Sequence, residues 1–81
     1  MIMTTKQLST FFDVGDCMMR TWLCNFQFEK FRKAGKRPAK FYITKDFLKT
    51  LEDYLGLKHS EYRLKKLNKI ADLYKKIENE V

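Results

Sequence analysis

The sequence predicts a mainly α-helical fold with a small β-hairpin wing: a winged helix-turn-helix followed by a C-terminal amphipathic helix. Two stretches carry the prediction. LSTFFDVGDCMMRTWL at 8–23 reads as two short helices meeting at a tight turn. KFYITKDFLKTL at 40–51 reads as a basic strand feeding another helix. With 81 residues there is room for one small core, divided here into a winged helix-turn-helix at 1–57 and a last helix at 58–81.

Each element follows from local chemistry. Thr4-x-x-Gln7 fits a capping box, so a helix begins near Thr5 and buries Leu8 with Phe11 or Phe12. Asp13-Val14-Gly15-Asp16 supplies the turn, because Asp and Gly tolerate strained backbone while Val14 points inward. Met19, Trp22, Leu23 and Phe26 then stand at i, i+3, i+4 and i+7, one apolar stripe on a second helix expected over 16–28. Leu8, Val14 and Met19 are the expected mutual contacts of the pair.

The flanks 28–32 and 40–43 are aromatic and β-branched, as short strands should be, and Ala34-Gly35-Lys36-Arg37-Pro38 reads as the hairpin tip between them. Thr44 is placed to cap a third helix, with Asp46 in its first turn and Phe47, Leu48, Leu51, Tyr54 and Leu55 as its apolar face. Gly56 stands where a C-terminal glycine belongs. Ser60 is the expected cap of the last helix, from Glu61 to about Asn79.

Charge narrows the partners. Seventeen Lys/Arg against ten Asp/Glu give a formal charge of +7, which favours a polyanion through counterion release. No apolar run is long enough to span a bilayer, and the start MIMTTKQL lacks the features of a signal peptide. The expectation is a cytoplasmic protein of a bacterial, phage or mobile-element host cell, with no membrane partner. Cys17 and Cys24 lie seven apart on one expected helix, about 10 Å along its axis, too far for a disulfide. With His59 the lone histidine, a zinc site lacks ligands, so the two thiols are read as reduced, one of them at least partly buried. No cofactor and no metal are expected.

Helix-turn-helix geometry lets the second helix enter the major groove, about 12 Å wide, while its partner braces on the backbone. Arg20 and Thr21 are the leading candidates for DNA contact, since Arg forks onto guanine or phosphate and Thr bonds to either. Cys17 and Trp22, on the same helix, are further candidates for DNA contact. Between Lys30 and Lys45 there are seven Lys/Arg and no acid. Of these, Arg32, Lys33, Lys36, Arg37 and Lys40 are placed to meet the backbone or the minor groove as a wing. Phe28, Phe31, Phe41 and Tyr42 can alternatively stack on single-stranded bases, although such residues are more often core.

In Leu8-Ser9, Val14-Gly15, Met19-Arg20-x-Trp22, Lys40-x-Tyr42 and Asp46-Phe47-x-x-x-Leu51 the chain resembles the DNA-binding half of MerR-type regulators and the related excisionases. The resemblance covers residues 4–55. It implies that Arg20 and Trp22 lie at the DNA backbone, that the wing carries basic contacts and that Tyr42 helps hold the wing. Asp13 departs from the usual turn glycine and Gly15-Asp16 from the usual Ser cap, and Asp16 would repel a nearby phosphate. The pattern stops short of the effector-sensing region of MerR regulators, so ligand response is not carried over.

The expected function is therefore binding of double-stranded DNA, as a small transcription regulator or an excisionase-like architectural factor. The alternative is a protein-binding module, a phage-type inhibitor or adaptor reusing the same fold. No positioned nucleophile, base, metal set or phosphate loop points to an enzyme. The last helix carries Leu67, Ile70, Tyr74, Ile77 and Val81 in steps of three and four, broadened by Leu64 and Leu73. That stripe can seal the domain's own core, pack against a second copy or receive a recombinase or other protein. Its surplus of apolar residues favours dimerisation through Leu67, Ile70, Tyr74 and Ile77.

Overall fold

The computed structural model describes residues 1–35 and 39–79. They are mainly helical with a small three-stranded antiparallel sheet, and they fall into two compact units, Met1–Ile43 and Thr44–Val81. The first unit runs β1 (Ile2–Thr4), α1 (Thr5–Phe12), α2 (Asp16–Leu23), a 3-10 helix (Phe26–Phe31), β2 (Arg32–Lys33) and β3 (Lys40–Tyr42). The second is α3 (Lys45–Lys58) followed by α4 (Ser60–Asn79).

The capping box forms as the sequence predicts. The Gln7 N–H donates to Thr4 Oγ1 at 3.1 Å, and the Thr4 N–H donates to Gln7 Oε1 at 2.9 Å. Asp13 ends α1 in the left-handed region, φ 54° and ψ 50°, the conformation for which Asp is among the few tolerant non-glycine residues. Three residues thus join α1 to α2. Leu8, Phe12, Met19, Trp22 and Leu23 are buried, while Val14 is only half-buried.

Three expectations fail between residues 23 and 33, for one reason. Asn25 is extended (φ −64°, ψ 137°), and its side chain accepts the Gln27 N–H at 3.0 Å. This turn stops α2 at Leu23 and starts a 3-10 helix where a strand over 28–32 was expected. Side chains three apart align in a 3-10 helix, so Phe28 and Phe31 are both buried. Phe26, expected on the buried stripe of α2, is instead 79% exposed. A strand would have alternated inward Phe28, Lys30 and Arg32, burying two cations.

The hairpin is present but short. β3 pairs with β2 on one side and with β1 on the other, in the order β1-β3-β2. The first strand was not anticipated. It is held by Ile2↔Tyr42, Met3↔Phe41 and Thr4↔Lys40, and by the Ile43 N–H donating to the Met1 carbonyl at 2.8 Å. At the tip Gly35 takes φ 146°, which a side chain would strain. Residues 36–38 of the expected tip lie outside the described residues.

In the second unit Thr44 Oγ1 accepts the Phe47 N–H at 3.2 Å, the predicted cap. Gly56 does not end α3, which continues to Lys58. A Cβ on Gly56 would stand 3.1 Å from Arg63 Cδ, so the Arg63 side chain of α4 lies against the glycine. Ser60 is the first residue of α4 rather than its cap. The His59 carbonyl takes that place, accepting the N–H groups of Tyr62 (2.9 Å) and Arg63 (3.1 Å). The helices run antiparallel, with Arg63 Nη2 3.1 Å from Glu52 Oε1 and Lys45 Nζ 3.9 Å from Glu78 Oε1 at the far end.

Candidate nucleic-acid interface

The first unit carries an open groove of about 850 Å3. Its walls come from α1, α2, the 3-10 helix and the sheet, and they bring Lys6, Arg20 and Arg32 together with Asp16, Cys24 and Glu29. The floor includes Phe28 and Phe41, both buried. α2 positions Arg20 because Met19, Trp22 and Leu23 take the inward side of two turns, leaving 17, 20 and 21 outside. The sheet positions Arg32 by register. Arg32 lies opposite Phe41, and Phe41 opposite Met3, so these three share the face that lines the groove or turns inward.

The same register separates two residues that the sequence placed with Arg32. Lys33 lies opposite Lys40, and Lys40 opposite Thr4, on the other face of the sheet. Both lysines are exposed, and neither lines the groove. Lys36 and Arg37 lie outside the described residues. Cys17 is exposed on α2, and the Thr21 hydroxyl donates back to the Cys17 carbonyl at 2.9 Å, which leaves its oxygen lone pairs facing solvent. Trp22 is fully buried, a core residue with no surface to offer a ligand.

Asp16 stands at the mouth of α2, where the helix dipole favours an acid. Its carboxylate is 2.6 Å from the hydroxyl of Ser9, which also faces the Lys6 carbonyl at 2.8 Å. This bond ties α1 to α2 across the turn. One oxygen of the carboxylate is thereby directed at the protein rather than at the groove.

Sequence reading missed Lys6, Cys24 and Glu29 as groove residues. For Lys6 a signal existed: a cation in the first turn of a helix opposes the macrodipole, and α1 has no acid there to offset it. Both cysteines are free and exposed, against the expectation that one would be at least partly buried. No group of three His, Cys, Asp or Glu among the described residues is arranged to hold a metal ion. No helix among them is long and apolar enough to cross a membrane.

The residues expected at a dimer seam divide between inside and outside. Ile70 is 1% exposed and packs in the α3–α4 pair, Tyr74 and Ile77 are half-buried, and Leu67 is 43% exposed. Burial raises the Tyr74 phenol above its usual pKa of 10.0, and the carboxylates of Glu52, Asp53 and Asp46 add to the shift. Set against known proteins, the chain matches no family model, no curated protein and no solved structure.

Proposed function

We propose that the chain binds double-stranded DNA as a MerR-type or excisionase-like winged helix-turn-helix protein, in a regulatory or architectural role. In this reading α2 enters the major groove and the β2–β3 hairpin is the wing. The observation that supports it is the convergence of Lys6, Arg20 and Arg32, from three different elements, on one open groove. Against the carboxylates of Asp16 and Glu29, the three cations leave the groove lining with a net positive charge. The element order supports it as well. A strand leads into a helix pair with a three-residue turn, and the hairpin that follows is anchored because β3 pairs with that leading strand.

Duplex binding measured against salt tests the proposal. Two phosphate contacts, from Lys6 and Arg32, give a slope of about −2 in log affinity against log salt. Arg20→Ala is expected to cost about 1–3 kcal/mol on the selected site and less on random duplex, as for a guanidinium forked onto guanine. Lys6→Ala should weaken both alike and reduce the slope by about one. A salt-independent affinity, or an Arg20→Ala protein that is folded and binds its site unchanged, would refute the reading.

A further inference from the structure

The face of the sheet away from the groove carries a second arrangement. Ile2 and Tyr42 are directly opposite each other, 42% and 43% exposed, and one row along stand Lys33 and Lys40, also opposite each other and exposed. Like charges placed directly across an antiparallel pair, with Cβ atoms about 5 Å apart, repel unless an anion lies between them. Among the described residues neither lysine has an acidic partner. Tyr42 and Lys40 are two residues apart on one strand, so their side chains leave the same face about 6.7 Å from each other.

We propose that this open face binds a single-stranded nucleic-acid segment, with a base stacked on the Tyr42 ring against Ile2 and its phosphate held by Lys33 and Lys40. The combination is a part-exposed aromatic ring beside paired, exposed cations on one face of the sheet, the two components of a sequence-tolerant stacking platform. A duplex has its base faces closed by stacking and offers the ring nothing but backbone. An acidic peptide would satisfy the lysines without using the ring. Of the four aromatics that could stack, Phe28, Phe31 and Phe41 are buried, which leaves Tyr42 to carry the stack. The platform is independent of the duplex reading, since its residues lie on the opposite face of the hairpin from Arg32.

The test compares the intact chain binding labelled oligo-dT of about ten nucleotides with a base-free deoxyribose-phosphate strand of equal length, by fluorescence anisotropy. Oligo-dT should bind at least about five-fold tighter than the base-free strand. Tyr42→Ala should erase that preference, Tyr42→Phe should keep it, and Lys33→Ala with Lys40→Ala should weaken both strands. Equal binding of the two strands overturns the proposal, whether or not Tyr42→Ala folds. So does a Tyr42→Ala protein that folds and keeps the preference, or poly-glutamate displacing oligo-dT as well as unlabelled oligo-dT does. Arg20→Ala separates the two sites: it impairs duplex binding alone if both readings hold, and loss of the oligo-dT preference in that variant counts against a separate platform.

Discussion

Ser9 is the buried polar residue among the described side chains, 2% exposed, and its partner is a carboxylate on the next helix. A hydroxyl in that position costs free energy unless it is bonded, and here its one proton faces two acceptors at 2.6 and 2.8 Å. Ser9→Ala is therefore expected to destabilise the chain by about 1.5–2 kcal/mol, the lower part of the range for bonds to charged groups because Asp16 itself is exposed. A double-mutant cycle with Asp16→Ala, followed by chemical denaturation, should return a coupling of about 1 kcal/mol. Strict additivity would mean that the bond does not hold the turn. The same variants should loosen the placement of Arg20, one turn along α2 from Asp16. The turn then governs both stability and the groove.

At the scale of elements, what the sequence made legible depended on local signals. α1 and α3 start where Thr4 and Thr44 predict, since a cap is written in two or three adjacent residues. β1 was not legible, because its three residues acquire a ladder only by pairing with β3, some forty positions on. The faces of Arg32 and Lys33 were hidden for a related reason: a one-residue slip of β2 against β3 exchanges them, and the Asn25 turn sets where β2 begins. Gly56 was misread as a helix end because a glycine lying against a neighbouring side chain and one needed for a cap look alike in sequence. Gly56→Ala tests that distinction. Ala gains about 1 kcal/mol in helix propensity, while the methyl meets Arg63 Cδ at 3.1 Å, a methylene of a flexible side chain that needs to give by only a few tenths of an ångström. A net gain of about 0.5 kcal/mol in denaturant unfolding is expected, and a loss would show that the Arg63–Glu52 contact resists the shift. The α3–α4 pair also has an alkaline limit. Tyr74 binds its proton more tightly when folded, so its stabilising contribution is complete below about pH 10 and is lost as pH rises through the folded pKa. Tyr74→Phe should remove that part of the alkaline decline and leave the profile between pH 6 and about 9 parallel to the parent.

At the scale of the whole molecule, self-association through the last helix depends on what α4 leaves exposed. An excess of apolar residues on the last helix favoured a dimer, yet α3 consumes much of that excess. Ile70 and Leu73 are each 1% exposed, and Tyr74 and Ile77 are half-buried. On α4 the large hydrophobics left exposed are Leu64 at 74% and Leu67 at 43%. Two leucines contribute far less than the roughly 800 Å2 per partner of a standard stable interface. With α4 as the seam the chain is therefore expected to sediment as a monomer at micromolar concentration. Paired substitutions separate core from surface. Ile70→Ala should cost about 2–4 kcal/mol, a large share of the roughly 4–12 kcal/mol expected for a chain of this length. Leu64→Lys with Leu67→Lys should change stability by about 0.5 kcal/mol or less and leave sedimentation unaltered. A wild-type dimer that the double lysine variant dissociates without unfolding would restore α4 as a self-association surface, centred on Leu64 and Leu67 rather than on Ile70. Ile70→Ala cannot give that result, because its side chain is already enclosed within one copy of the chain.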